Sequence, residues 1–135
     1  MIKVTAKDAL RSEQLTPGWK VGVCVNFFEA IAKTDGSKVY TFEIEVEEKG
    51  MPVPVPLQNY VISEKAVSMG KAFFIACGFP QEDWDKLVKG EATSADIDPV
   101  NCVGKKFRVM VANDKYENRI LNKAADFLPL QTVAA

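Results

Sequence analysis

Tyr40, Phe42, Ile44 and Val46 alternate with Thr41, Glu43, Glu45 and Glu47, the two-residue period of a strand with one apolar and one acidic face. The same period runs earlier through Val21, Val23, Val25 and Phe27 against Lys20, Gly22, Cys24 and Asn26, predicting a half-buried strand over residues 19–27 with Phe27 turned inward. Thr34, Asp35, Gly36 and Ser37 form a turn signal between the two, and Lys49-Gly50 marks a second reversal. Pro52, Pro54 and Pro56 then recur at every second residue. A strand there would have its missing amide protons along one edge and could pair fully on one side only.

The period then changes. Ser63 is a helix N-cap signal, Glu64 suits the positive helix start, and Val67, Gly70, Phe74 and Cys77 follow at spacings of three or four, with Gly78 as the stop. A shorter helix is predicted after Pro80: Glu82 and Asp83 lie in its first turn, Trp84, Leu87 and Val88 form its apolar face, and Lys89-Gly90 ends it. Residues 91–99 read as an exposed connection. After Gly104, Phe107, Val109 and Val111 alternate with Lys106, Arg108 and Met110 to give a fourth strand, the turn falls over residues 113–118, and a fifth strand runs over 119–127.

Three strands, a helical connection and two strands, with no βαβ repetition, predict an all-β fold with a helical insertion. The order matches a five-stranded OB-like Greek-key barrel with its helices between strands three and four. A β-sandwich is the main competitor. Residues 1–16 lack clear periodicity and are expected to form an arm or irregular lead-in, residues 17–130 the OB-like domain and residues 131–135 a short tail.

Composition narrows the function classes. With 135 residues, 47% of them hydrophobic, the chain can build one core without metal or disulfide staples. It contains no histidine, which removes the usual general base and the commonest zinc ligand. Cys24, Cys77 and Cys102 form no CxxC pair and suit buried free thiols in a reducing compartment. No GxxxxGK[ST] phosphate loop is present, and Asp96 and Asp98 lack the glycine and further oxygen ligands of a calcium loop. No catalytic constellation, cofactor or metal is therefore expected. The N-terminus lacks the pattern of a secretory signal and no apolar run reaches membrane-spanning length, so a soluble protein of the cytoplasm is expected.

The net charge of −1 conceals an uneven distribution. Residues 101–135 carry six Lys or Arg against three Asp or Glu, whereas residues 51–100 carry four against seven. A basic end of this kind can hold a polyanion. OB barrels bind oligonucleotides with strands two and three and with the loops joining strands one to two and four to five. Lys33 and Lys38 bound the first of these loops; Lys115 and Tyr116 occupy the second and Arg119 follows it. Lys105, Lys106 and Arg108 continue the charge along the fourth strand, and Lys123 lies on the fifth. Cations along phosphates and an aromatic face under a base are what single-stranded nucleic acid requires, which makes Tyr116 the stacking candidate and Trp19 and Phe28 weaker ones. Glu43, Glu45 and Glu47 oppose this reading, because an acidic strand face repels phosphate.

The segments Thr16-Pro17-Gly18, Lys33 to Ser37, Val103-Gly104-Lys105-Lys106 and Tyr116 to Pro129, the last ending in Asn122-Lys123 and Phe127-Leu128-Pro129, together resemble a family of small phage and prophage proteins similar to OB-fold single-stranded DNA-binding proteins. The resemblance implies binding of single-stranded DNA with little sequence preference, in a phage-type replication or recombination system within a bacterial host cell. It implies replication or recombination proteins as further partners and adds no catalytic residue. The end Gln131-Thr132-Val133-Ala134-Ala135 departs from the acidic tail of bacterial single-strand-binding proteins. Assembly into a dimer or higher oligomer would multiply the contacts of so small a protein. Two rival readings remain at this point. One is a protein-interaction module, an accessory subunit or inhibitor, acting through the acidic strand and the Trp84 helix. The other is a structural component of a particle.

Overall fold

The computed structural model describes residues 1–130; the expected tail at 131–135 lies outside the described residues. Six strands among those residues form one open antiparallel sheet: β1 (Gly18–Ile31), β2 (Lys38–Val46), β3 (Val55–Pro56), β4 (Tyr60–Ser63), β5 (Lys106–Tyr116) and β6 (Arg119–Pro129). The path is β3-β2-β1-β5-β6, with β4 also paired to β2. Helices fill the rest: α1 (Ala6–Leu10) before the sheet, then a 3-10 turn (Glu64–Gly70), α2 (Lys71–Ala76), α3 (Gln81–Val88) and a second 3-10 turn (Pro99–Cys102) between β4 and β5. The expectation of a mostly β chain with a helical insertion holds at this level. The sheet does not close into a barrel.

β2 keeps the phase read from its sequence, with Phe42, Ile44 and Val46 all buried. β1 does not. Gly22 and Cys24 are buried, Val21 and Val23 are half-buried on the opposite face and Val25 is exposed. The register steps from Cys24 opposite Ile44 to Asn26 opposite Glu43, so Val25 is the extra residue of a β-bulge. The bulge inverts the side-chain phase and returns Phe27 to the inner side, where it stacks on Phe42 at 6.1 Å. Small residues are required before it: a Cβ on Gly22 would stand 2.9 Å from Val109 Cγ1 and 3.2 Å from Phe107 Cε1. Phe28, in phase with the outer face after the bulge, is exposed rather than packed in the core.

The proline-marked strand is also revised. Pro52 and Pro54 precede the ladder, and only Pro56 joins it, opposite Glu45. The chain leaves the ladder at Gln58-Asn59 and resumes as β4, with Tyr60 opposite Phe42 and Ser63 opposite Val39. One third strand is thus broken into two short pieces on the edge of β2. Gln58 N–H donates to the Asn122 carbonyl at 2.8 Å, linking this edge to β6 at the other end of the sheet.

An aromatic cluster fills the space between. The ring of Phe73, from α2, lies 4.7 Å from Phe42, 5.0 Å from Phe127 and 5.2 Å from Tyr60. α2 therefore plugs the concave side of the curved sheet. α3 packs on it through an edge contact of Trp84 with Phe79, and the Lys71 ammonium stands 6.0 Å from the Trp84 ring. Ser63 caps the first 3-10 turn through a bond from the Lys65 amide, as its sequence position suggests.

The N-terminal sixteen residues are more ordered than an irregular lead-in. Thr5 and Asp8 bond reciprocally as a capping box that starts α1. Leu15 is only 1% exposed and belongs to the core. β6 positions it: a second bulge, at Ala125, shifts the pairing from Met110 opposite Asp126 to Val111 opposite Ala124 and turns Asn122 inward. Asn122 Oδ1 accepts from Leu15 N–H at 3.1 Å, and its Nδ2 donates to the Glu13 carbonyl at 2.7 Å. At the outer end of the arm, Lys7 pairs with Glu45 at 2.9 Å.

Candidate nucleic-acid interface

The basic residues singled out in the sequence occupy three separate regions. Lys33 and Lys38 flank the β1-β2 connection and are exposed. Lys105, Lys106 and Arg108 stand at the start of β5, Lys106 opposite Val23 and Arg108 opposite Val21, with Arg108 Nε donating to the Pro129 carbonyl at 3.2 Å. Lys115, Tyr116 and Arg119 gather at the β5-β6 hairpin tip, where Tyr116 lies directly across from Arg119. Lys123 is turned to Asp114, with which it forms an ion pair.

Register fixes the order of these regions along the strands. β5 pairs with β1 only from Gly18 to Val23, its later residues running past the start of β1, while the β1-β2 loop follows Ile31 at the far end. The ten steps from Lys106 to Tyr116 span ~33 Å of strand. The structure therefore does not bring the two cationic loops to one end of β1. It brings Lys115, Tyr116 and Arg119 together and leaves Lys33 and Lys38 elsewhere.

The hairpin tip faces a different surface. A cleft of about 670 Å³ separates the β3-β4 edge from the start of β6, with α1 as its third wall. Arg11 comes from just after α1, Gln58 and Asn59 from the break between β3 and β4, and Asn118 and Arg119 from the hairpin. Val61 and Ile120 supply apolar surface between these polar groups. Two guanidiniums against the single carboxylate of Asp8 leave the lining cationic, and Asp8 already accepts from the Thr5 amide at 3.0 Å. Tyr116, 59% exposed on the adjoining hairpin, presents a ring with little protein around it.

The acidic strand face is partly neutralised within the molecule. Glu45 is held by Lys7, and Glu43 accepts from Asn26 Nδ2 at 3.2 Å. Glu48 at the end of the same stretch binds Lys20 at 2.9 Å. Trp84 is half-buried against Phe79.

Sequence reading missed Arg11, Gln58, Asn59 and Asn118. The Thr5-Ala6-Lys7-Asp8 capping pattern was the available sign that Arg11 would follow a helix; nothing local in the sequence says that this helix lies beside the hairpin. Among the described residues no group of three or more Cys, Asp or Glu side chains is arranged to hold a metal ion, and no helix is long and apolar enough to cross a membrane. No protein-family model matches the chain, and no curated protein matches it.

Proposed function

We propose that this chain is a non-enzymatic single-stranded DNA-binding protein of OB type, of the kind used in phage replication and recombination within a bacterial cell, and that the cleft between β3-β4 and the β5-β6 hairpin is its binding surface. Counting β3 and β4 as one broken strand, the sheet path is 3-2-1-4-5 with helices inserted after the third strand, the connectivity of a partly open OB barrel. The two sheet ends meet at the Gln58-Asn122 bond. In such barrels oligonucleotides cross the second and third strands beside the loop joining the last two; the cleft shares the third strand and that loop, and its other walls are α1 and the start of β6.

The observation that carries the reading is the lining itself. Arg11 and Arg119 can each bind a phosphate oxygen pair in bidentate fashion. The Gln58, Asn59 and Asn118 amides offer donors and acceptors without commitment to one base. Tyr116 offers a stacking face, worth about 1–3 kcal/mol per base. Such a surface binds through backbone charge and base planes, with little sequence preference.

Titration with labelled oligothymidine at low and moderate salt tests this; absence of binding at low salt would reject it. Because each neutralised phosphate of a single strand contributes about −0.7 to the slope of log K against log salt, replacing both Arg11 and Arg119 by Ala is expected to flatten the slope by roughly 1.4. An unchanged slope would move the site to Lys106 and Arg108. The rival interaction-module reading loses support from the internal pairing of Glu43 and Glu45 and the packing of Trp84. Capture of a protein partner insensitive to nuclease, without oligonucleotide binding, would favour it instead.

A further inference from the structure

β1 outruns its neighbour β5. The two pair only from Gly18 to Val23 of β1, and Lys105 and Gly104 extend the contact to Cys24 through main-chain bonds of 3.2 and 2.7 Å. Beyond the Val25 bulge, residues 26–31 pair with β2 alone, and the far edge of β2 is taken by β4. Among the described residues, no main-chain partner meets the other edge of this stretch.

The ladder fixes which groups are left over, because successive residues of an antiparallel pair turn their amide and carbonyl to opposite sides. Ala32 N–H donates across the hairpin to the Ser37 carbonyl at 2.8 Å. Ala30 and Phe28 therefore face β2 in the same way, while Phe27, Glu29 and Ile31 turn their main-chain groups outward. Such an edge is a template for a further strand. Neither proline nor lysine interrupts it between Asn26 and Ile31, and its side chains are exposed from Phe28 onward, Ile31 at 60%. We propose that this edge is the interface of a homodimer, in which β1 of one copy pairs antiparallel with β1 of a second copy about a two-fold axis at Ile31.

Charge selects both the occupant and the register. Glu29 and Lys33 lie equally far from Ile31 on either side of it, so the two-fold sets each Glu29 across from Lys33 of the other copy. Both are exposed, and neither has an ion-pair partner among the described residues. Unlike charges directly opposed across a ladder stabilise it, and like charges oppose it. A foreign strand without a cation at that position leaves Glu29 unanswered, the kind of edge charge that keeps sheets apart. At the axis the two Ile31 side chains stand side by side and leave water. The second hairpin turns opposite Phe27 and Phe28, and so stops short of Gly104 and Lys105 where they bond to Cys24. The interface uses no residue of the cleft, which draws on the edge at the other side of β2.

Sedimentation equilibrium of the full-length protein over a concentration series, without nucleic acid, tests the pairing. The expected species has twice the 14.9 kDa of one chain, and a single-chain mass at every concentration would overturn the proposal. Ile31→Asp, at a position exposed in the single chain, is expected to abolish the dimer and leave the circular dichroism spectrum unchanged. Glu29→Lys is expected to weaken association by roughly tenfold or more, since both opposed pairs change sign, and adding Lys33→Glu to restore it. A dimer indifferent to Ile31→Asp, or a double variant no tighter than Glu29→Lys, would put the interface elsewhere and overturn the proposal. Hydrogen exchange of the wild type decides the matter even should a variant fail to fold: the Glu29 and Ile31 amides are expected to exchange more slowly as concentration rises, and exchange independent of concentration would equally overturn it.

Discussion

Asn122→Ala removes the residue that fastens the N-terminal arm to the sheet. Three hydrogen bonds disappear: from Leu15 N–H at 3.1 Å, to the Glu13 carbonyl at 2.7 Å and from Asn113 Nδ2 at 2.7 Å. The Leu15 amide is buried with its side chain, so leaving it without an acceptor costs about 1–3 kcal/mol. The Glu13 and Asn113 groups can recover water, and each loss there amounts to about 0.5–1.5 kcal/mol. Release of the arm limits the total. It rehydrates all three groups and returns chain entropy, at the expense of exposing Leu15, worth about 1.5–3 kcal/mol. The expected loss is therefore at most about 1.5–3 kcal/mol, still a large part of the stability of a domain this size. Urea unfolding followed by tryptophan fluorescence measures it as a fall in midpoint, and trypsin should cleave after Arg11 more rapidly in the folded variant. A loss below about 0.5 kcal/mol with unaltered cleavage would show that the arm is held by something other than Asn122, and the reasoning from these bonds would fail.

Glu117 sits at the hairpin tip with φ of 56°, a left-handed conformation that asparagine tolerates better. Glu117→Asn is expected to stabilise the fold by about 0.5–1 kcal/mol in thermal unfolding and to tighten oligothymidine binding by removing a carboxylate beside Arg119; weaker binding would contradict the placement of the cleft. Gly22→Ala should lower stability by about 1–3 kcal/mol in urea, because Val109 is buried and β-branched and cannot yield to the added methyl; an unchanged midpoint would refute the close approach. The Lys65 ammonium, with the Ser37 hydroxyl and amide, holds the Asp35 carboxyl down to about 2. A lowered folded-state pKa stabilises above the unfolded carboxylate value and is lost as pH falls from about 4 toward 2. Lys65→Met should raise the Asp35 midpoint toward 3.8 in carboxyl NMR titration, and a midpoint still near 2 would assign the effect to Ser37.

β2 was legible from Phe42 to Val46, where nothing interrupts the alternation of buried apolar residues with Glu43 and Glu45; before it Tyr40 is only half-buried while Thr41, read as outward, is buried. Gly78 and Pro80 marked helix boundaries, since capping chemistry acts within a few residues, but the single helix expected from Ser63 to Gly78 is instead a 3-10 turn broken at Ala66 followed by the six-residue α2, and Val67 is exposed. β1 was misread in phase. Its inner residues before the bulge are a glycine and a cysteine, chosen by the rings and methyls of a strand more than eighty residues away. The third strand was placed too early, because proline spacing states which edge lacks donors without stating that a ladder forms. For the cleft, Arg119 could be found from the hairpin alone, as could Tyr116 beside it, whereas Arg11 could not. Its position depends on Leu15 and Asn122, a long-range pairing that leaves no periodic trace.

The junction between the two ends of the sheet carries one main-chain stitch, from Gln58 to Asn122, where a closed barrel would carry a full ladder. A molecule that wedges itself into the neighbouring cleft would thus have to undo a single peptide–peptide bond to gain width. The remaining resistance comes from the rings of Tyr60 and Phe127, edge to face behind the gap at 4.9 Å, and from the Tyr60 hydroxyl, which donates to the Met69 carbonyl at 3.3 Å. Widening the seam therefore costs little main-chain pairing, and the aromatic contacts behind it, rather than a ladder, set its stiffness.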